Sequence, residues 1–387
     1  MGKGDKNDGE LGCKKYGVPL YGAAWVPIAT VKGDSAAESE NPSSYNGSLH
    51  VVLAGGGGEG HSGIPNALLL SAFDFESTSL SDEPVGILRT GSDLPYRIAV
   101  HPGGEGLICS FPKSCRWVEW DSTTSADKHT LSLKSSKKLL EQLDDVGLQL
   151  AMTFNIEGSL LAVGGEDGRL RVLKWPAMES TLDEANVHAS VKDLDFSPDG
   201  KFLVSVGSGP ARIWNVATST SIASLSKQND EIFGFCRFSR TTDRDQVLYI
   251  TAMRDKSSSI IKWNTSSWQR INSIRVARDP ISAFNVSPNG KLLAIGTIQG
   301  DILILSSVDM RLQSIVRKAH LGLVTALAFS LDSRALVSAS LDSSARVTLI
   351  RDKKKDDGMS SWTILFIVLL AIAVYYARSK GFFSLKL

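Results

Sequence analysis

Apolar and polar residues alternate in short segments along most of the chain, and one arrangement of these segments recurs. A strand-like segment is followed by a turn rich in Pro, Asp, Asn or Gly and then by a second strand-like segment, as in Asp193–Gly207, Ala283–Thr297 and Ala326–Ser340. Alternation with a period of two is typical of a half-buried β-strand, and turns of this composition join strands into hairpins. The pattern therefore predicts an all-β protein built from repeated hairpins.

The spacing of the copies predicts how the hairpins assemble. Equivalent points are marked by a serine about 42 to 48 residues apart, at Ser197, Ser239, Ser287 and Ser330. This is the period of a four-stranded propeller blade. Seven copies begin near Ala23, Arg97, Ala151, Asp193, Gly234, Ala283 and Ala326. We predict a polar tail over residues 1–15 and a seven-bladed WD-repeat β-propeller over residues 16–350. The WD dipeptide itself is mostly missing, and an array of β-sandwiches is the alternative.

The C-terminal region has a different character, because Trp362–Ala377 is apolar almost throughout. Extended back to Gly358, the segment is uncharged over a length that spans a bilayer as a helix. Trp and Tyr stand at its ends, where aromatic rings favour the membrane interface. The prediction is a charged linker over residues 351–361, a single transmembrane helix over 362–377 and a short lumenal tail over 378–387. A buried core helix is the alternative.

Composition and charge exclude several classes of protein. The 387 residues carry a formal net charge of +1, which offers no electrostatic footprint for nucleic acid. The four cysteines include no C-x-x-C pair, and the six histidines lack metal-ligand spacing. The polar N-terminus has no apolar signal-peptide core, which favours a cytosolic propeller.

One segment of the first copy departs from the repeat. Six glycines fall within Gly55–Asn66, which joins two apolar strands and is called the glycine loop below. Gly58–Gly63 matches the G-x-G-x-x-G phosphate-binding pattern, but such patterns need a helix to follow, and Pro65 and a strand follow here. A nucleotide site is therefore disfavoured.

The composition of the glycine loop indicates what it could bind. The carbonyl groups of Gly56, Gly57, Gly58 and Gly60 are predicted to surround a cation, and carbonyl rings suit potassium. Pro65 would stiffen the loop exit and present Asn66, whose amide both donates and accepts hydrogen bonds. The predicted role is a recognition finger, and the alternative is a floppy surface loop.

Two segments of the sequence resemble a known family closely. Tyr16–Trp25, with the sequence YGVPLYGAAW, and Leu53–Leu68, with the sequence LAGGGGEGHSGIPNAL, resemble the opening of the endoplasmic-reticulum exchange factor for the Sar-type GTPase of COPII coats. The family includes the animal prolactin regulatory element-binding protein and plant relatives. The resemblance extends over the propeller, the linker and the membrane anchor.

The resemblance implies a guanine-nucleotide exchange factor, without covalent chemistry, at the endoplasmic-reticulum membrane. It implies a potassium ion in the glycine loop, a Sar-type GTPase as partner, COPII coat-associated proteins as further partners, and no nucleic acid. Exchange residues would be Ile64, Pro65, Asn66 and Asp93, and GTPase contacts would come from Gly58, Glu59, Gly60, His61, Gly63 and Pro95. The family also includes a plant facilitator of phosphate-transporter traffic that is thought to lack exchange activity. A non-catalytic escort for membrane cargo therefore stays open, as does a nucleic-acid-binding regulator.

Overall fold

Seven antiparallel sheets follow one another along residues 12–349. The computed structural model describes residues 12–27, 49–60, 62–125, 128–138, 140–240, 246–350 and 361–379. The first described strand is β1 (Cys13–Lys15), and blade 1 then has five strands: β2 (Leu20–Trp25), β3 (Leu49–Gly55), β4 (Asn66–Asp74), β5 (Ser79–Leu80) and β6 (Gly86–Gly91). Blade 2 comprises β7 (Ile98–Val100), β8 (Gly106–Ser110), β9 (Cys115–Ser125) and β10 (Lys128–Ser135). A short 3-10 helix, Glu141–Leu143, precedes blade 3.

Blades 3 to 6 each contain four consecutive strands. Blade 3 comprises β11 (Gln149–Phe154), β12 (Leu160–Gly165), β13 (Leu170–Lys174) and β14 (Glu179–Glu184). Blade 4 comprises β15 (Val191–Phe196), β16 (Phe202–Gly207), β17 (Ala211–Asn215) and β18 (Thr220–Leu225). Blade 5 comprises β19 (Ile232–Phe238), β20 (Val247–Arg254), β21 (Ser257–Asn264) and β22 (Arg270–Ala277). Blade 6 comprises β23 (Ile281–Val286), β24 (Leu292–Thr297), β25 (Ile302–Ser306) and β26 (Leu312–Val316).

Blade 7 closes the ring with a strand from the other end of the chain. It comprises β27 (Val324–Phe329), β28 (Ala335–Ser340), β29 (Ser344–Leu349) and, as its outer strand, β1, which pairs antiparallel with β29. The first strands of the blades contact one another in a closed circle, from β2 through β7, β11, β15, β19, β23 and β27 back to β2. The predicted seven-bladed propeller is confirmed, and it begins at Cys13, before the predicted boundary at Tyr16.

The recurring serine has a structural role in the turn between the first and second strands of a blade. The Ser197 hydroxyl donates to Asp199 Oδ1 at 2.7 Å and accepts from the Phe202 N–H at 2.9 Å. The hydroxyl groups of Ser239, Ser287 and Ser330 likewise accept from the backbone N–H that opens the next strand. Because a local side-chain hydrogen bond stabilises such a turn, the serine spacing identified the blades correctly.

The core lies between the blades. The second strand of each blade is buried almost throughout, as in β16 and β28, because neighbouring blades cover both of its faces. The outer strands β18 and β26 are largely exposed. Trp214, at 4% exposure, donates its indole N–H to the Ser205 hydroxyl, which also lies 3.1 Å from His188 Nε2. Polar groups buried in this way need partners, and this network supplies them.

The strand directions define two faces of the propeller. The glycine loop and the segment over residues 91–97 lie where the first strands begin, and this side is called the loop face. The serine turns lie at the other ends of the first strands, on the side called the turn face. The glycine loop is therefore on the same face as the connections that enter each blade.

The second unit of the chain, residues 350–387, contains one described helix, α1 (Ser361–Ser379). Its apolar side chains Leu365, Phe366, Val368, Leu369, Leu370, Ile372 and Val374 are 48–64% exposed. Among the described residues, no helix reaches the length and apolarity of a membrane span.

Candidate functional site

The glycine loop joins β3 to β4, as the sequence predicts, and no helix follows it. The two strands stay paired up to Gly55 and Ala67, so the loop leaves the sheet abruptly at both ends. On the entry side the Gly56 N–H donates to the Pro19 carbonyl at 3.0 Å. On the exit side Asn66 pairs with Gly91 of β6. The loop is therefore held by backbone pairing at its base.

Asn66 is buried, with 3% of its surface exposed, which contradicts its predicted presentation to a partner. Its Oδ1 accepts from the Gly58 N–H at 2.9 Å. Its Nδ2 faces three carbonyl oxygens, those of Gly58 at 3.2 Å, Gly91 at 3.1 Å and Ser92 at 3.0 Å. The amide thus links Gly58, on the first half of the loop, to Gly91 and Ser92 at the end of β6. Its burial is tolerated because its polar atoms have hydrogen-bond partners there.

The glycines at the start of the loop are required by close approach. A Cβ on Gly56 would lie 2.1 Å from Asn66 Oδ1, and its φ of +153° is one that other residues rarely adopt. A Cβ on Gly57 would lie 2.3 Å from Ser62 Oγ and 2.8 Å from Ile64 Cβ. Gly60 differs, because a Cβ there would meet nothing within 4 Å and its φ is not positive. The loop therefore folds back on itself around its first glycines.

This difference predicts that two alanine substitutions in one loop affect the stability of the protein differently. Gly56→Ala should displace the Asn66 amide and destabilise the protein by about 1–3 kcal/mol, the usual cost of strain or overpacking. Gly60→Ala should leave the melting temperature unchanged, because its methyl group enters open space. Thermal melting monitored by circular dichroism measures both variants. Equal melting temperatures would contradict the close packing of Gly56 against Asn66.

The exposed part of the loop comprises its tip, Glu59 and Gly60, and the arm that returns to the sheet, called the falling arm, over residues 62–65. Glu59 and Gly60 are exposed, and so are residues 62–65, with Ile64 exposed to 37%. The Ile64 N–H donates a hydrogen bond to the Ser62 hydroxyl oxygen at 3.3 Å. An apolar side chain beside Pro65 on an anchored loop is the feature most open to a partner. His61 lies outside the described residues.

Asp93 and Pro95 lie in the segment that Asn66 anchors. The carboxylate of Asp93 forms an ion pair with Arg116, whose guanidinium lies 4.6 Å from the centre of the Phe111 ring. Thr90 Oγ1 donates to the Asp93 carbonyl oxygen at 2.7 Å. Pro95 is buried, so its predicted contact with a partner does not come from an exposed side chain. The role of Asp93 in exchange stays a prediction.

The predicted potassium ligands can be compared with the oxygen atoms of the loop. The Gly58 carbonyl accepts from Asn66 Nδ2, and the Gly60 carbonyl accepts from the Ser62 N–H at 2.6 Å. Each carbonyl oxygen has a second lone pair that a cation could use. No group of three His, Cys, Asp or Glu residues in the described ranges could hold a metal ion. Neutral carbonyl oxygens are the donors that potassium prefers, and a potassium ion in the loop stays a prediction.

Comparison with known proteins identifies the repeats and the relatives. The model of the WD domain, G-beta repeat family matches residues 180–215 and 312–348. Each match starts in the outer strand of one blade and covers the first three strands of the next. The WD40 character of the propeller is therefore confirmed in two repeats where the sequence pattern is best kept.

The relatives are similar over almost the whole chain. SEC12-like protein 2 of Arabidopsis thaliana is 48% identical over 355 residues, which are 90% of this chain and 90% of the relative. SEC12-like protein 1 of the same plant is 30% identical over 87% of this chain and 86% of the relative. The guanine nucleotide-exchange factor SEC12 of Rattus norvegicus is 24% identical over 86% and 93%, respectively. The chain therefore belongs to the SEC12 family of WD-repeat proteins.

Proposed function

We propose that this protein is a guanine-nucleotide exchange factor for a Sar-type small GTPase at the endoplasmic reticulum, where GTP loading starts COPII vesicle budding. Relatives of nearly full length carry the name guanine nucleotide-exchange factor SEC12. The observation that carries the proposal is the glycine loop, whose base is fixed by a buried amide and whose apolar residue Ile64 is exposed.

Exchange of this kind needs no covalent chemistry. A protein that binds the nucleotide-free GTPase more tightly than the GDP-bound form weakens GDP binding by the same factor, because the two equilibria are linked. GDP then dissociates and GTP, when it is in excess, takes its place. The loop acts as a preorganised wedge. Ile64 and Pro65 contact the GTPase, and Asn66 holds the loop in the shape that makes this contact.

Preorganisation is the reason why the loop is anchored so heavily. Ordering a flexible backbone on binding costs about 1–2 kcal/mol per residue. The hydrogen bonds of Asn66 to residues on both sides of the loop remove that cost before the partner arrives. Binding energy is then available to displace nucleotide.

A potassium ion bound by loop carbonyls would add to this rigidity.

The C-terminal segment would place the propeller at one membrane. Residues 358–377 carry no charge and are followed directly by Arg378, and the described apolar side chains of α1 are exposed. Both features support a membrane anchor. Flotation of the full chain with phospholipid vesicles after an alkaline carbonate wash tests the anchor, and loss of the chain in the wash would reject it.

The exchange activity is tested with the full chain in phospholipid vesicles and a purified Sar-type GTPase loaded with GDP. Tryptophan fluorescence of the GTPase reports GTP loading, and the rate should rise about 5- to 150-fold with the chain present, as a coupling of 1–3 kcal/mol predicts. The rate should be higher in potassium chloride than in sodium chloride of equal ionic strength. A rate equal to that of the GTPase alone would overturn the proposed function, and equal rates in both salts would reject the potassium ion.

A further inference from the structure

The loop face carries a pocket that is separate from the glycine loop. A pocket of about 320 Å³ opens at the ends of blades 5 and 6 that face this side. Its wall is mainly apolar and includes Phe233, Phe235, Met253 and Ile281. No residue of the predicted exchange site lines it. The pocket is large enough to receive an apolar side chain from a partner.

The rim of the pocket is basic. Arg97 and Lys192 line it, and Lys227 Nζ lies 5.6 Å from the centre of the Phe233 ring in its wall. Partial burial, and then the charge of Lys192, lower the pKa of Lys227. The Arg97 guanidinium donates to the carbonyl oxygens of Leu150, Tyr21 and Thr325 at 3.2–3.3 Å. These three cations thus concentrate positive charge at the mouth of the pocket.

The nearby carboxylates that form ion pairs do so with other cations. Glu231 forms an ion pair with Arg270 at 2.6 Å, and the largely buried Asp193 forms one with Arg237. In the described part of the chain, no carboxylate lies within salt-bridge distance of Arg97, Lys192 or Lys227. Uncompensated cations beside an apolar wall are complementary to an acidic segment that carries an apolar side chain.

The pocket lies within reach of a domain that sits on the glycine loop. Asn66 Nδ2 donates to the Gly91 carbonyl at 3.1 Å, and Arg97 on the pocket rim follows six residues later. An extended chain covers at most about 3.6 Å per residue, so Gly91 and Arg97 are less than about 22 Å apart. A globular domain of 150 residues has a radius of gyration of about 15 Å and is therefore roughly 40 Å across. One such domain can cover both features.

We propose that this pocket, with Lys192 and Lys227 on its rim, is a second docking site that takes an acidic surface segment of the same small GTPase. The proposal rests on the proposed exchange function and adds the part of the surface that captures the partner. Long-range attraction by the rim accelerates encounter, and the apolar wall then orients the GTPase over the glycine loop. The two sites divide capture from nucleotide release.

Charge reversal on the rim tests this site in the full chain in vesicles. The double variant Lys192→Glu/Lys227→Glu should lower kcat/KM for exchange on the order of 10-fold at low salt, because electrostatic steering changes association rates by this amount or more. Its kcat/KM should also depend less on sodium chloride, because screening has less attraction to remove. The conservative variant Lys192→Arg/Lys227→Arg should exchange at the normal rate.

The control is a matched pair of lysines away from the loop face. Lys291 is exposed and Lys262 is half-buried, as are Lys192 and Lys227, respectively, and both lie towards the turn face. Lys291→Glu/Lys262→Glu should change neither the rate nor its salt dependence. Thermal melting of all variants confirms that they are folded.

Three results would overturn the docking site, and they are distinguishable. Normal exchange by the rim variant, while Ile64→Asp is inactive, would reject the pocket and leave the exchange function standing. A deficit relative to the unsubstituted chain that is as large at high salt as at low salt, or an equal loss of rate in the control pair, would show that the effect is not local attraction. No exchange by the unsubstituted chain would reject the exchange function and the docking site together.

Discussion

Replacing Asn66 by alanine should lower kcat/KM for nucleotide exchange about 100-fold and reduce the stability of the protein. The substitution removes four hydrogen bonds of a buried amide, and it leaves the Gly58 N–H and three carbonyls without that partner. At about 0.5–1.5 kcal/mol each, the loss is roughly 2–6 kcal/mol. If three loop residues must then be ordered on binding, the cost is about 3 kcal/mol, which corresponds to the expected loss of rate.

Hydrogen–deuterium exchange and thermal melting distinguish this anchoring role from direct contact with the GTPase. For Asn66→Ala the melting temperature should fall by several degrees, and the amides of residues 56–60 should lose protection. Asn66→Asp should be equally impaired, because a carboxylate oxygen would face the three carbonyls in place of the amide N–H groups. Gly60→Ala is the matched loop control for stability, and its melting temperature and loop protection should equal those of the unsubstituted chain. Normal melting and normal loop protection in Asn66→Ala, with exchange lost, would contradict the anchoring role.

Replacing Ile64 by aspartate should also cause a severe loss of exchange but, unlike Asn66→Ala, should leave the stability of the protein normal. Ile64 is 37% exposed at the falling arm of the loop, and surface substitutions usually change stability by less than about 0.5 kcal/mol. An apolar residue at the centre of an interface contributes about 2 kcal/mol or more, so exchange should fall at least 30-fold. Stopped-flow fluorescence of the GTPase, beside thermal melting, measures both quantities.

Ile156 provides the control for this substitution. It is 61% exposed in the turn between β11 and β12 of blade 3, on the turn face, so Ile156→Asp changes the same residue type at another exposed position. This variant should exchange nucleotide at the normal rate. An Ile64→Asp variant that is as active as Ile156→Asp would show that Ile64 does not contact the GTPase.

Together the two substitutions separate the loop into an anchor and a contact. In the proposed mechanism Asn66 fixes the shape of the loop and Ile64 contacts the GTPase, so only the substitution of Asn66 should alter protection from hydrogen exchange. The distinction follows from exposure, because a side chain at 3% exposure cannot reach a partner without a change of conformation, whereas one at 37% can. Local anchoring beside an exposed contact is a common arrangement for functional loops.

Much of the fold was predictable because its signals are local. A serine, a turn residue and the next strand lie within about six positions of one another, so each blade leaves its own pattern in the sequence. Seven such patterns at a propeller period therefore predicted the seven blades found in the structure. The resemblance in Leu53–Leu68 likewise identified the family, because the loop motif is contiguous.

Features that depend on distant residues were not predictable in the same way. The pairing of β1 with β29 joins residues more than 300 positions apart, and nothing in Cys13–Lys15 indicates that partner. The burial of Asn66 depends on the carbonyls of Gly91 and Ser92, about 25 positions later, and the sequence alone suggested an exposed finger. Both outcomes are decided by which backbone groups meet after the ring closes.

By itself, the sequence determined the strand pattern, the number of blades, the place of the glycine loop and the family, because alternation, turn chemistry and a contiguous motif are written in neighbouring residues. Only the tertiary structure decided that the amide of Asn66 is buried and anchors the loop, that Ile64 is exposed, and that Lys192 and Lys227 lie close to one pocket. Burial and the clustering of charge arise when separate blades pack together, and they have no local signature in the chain.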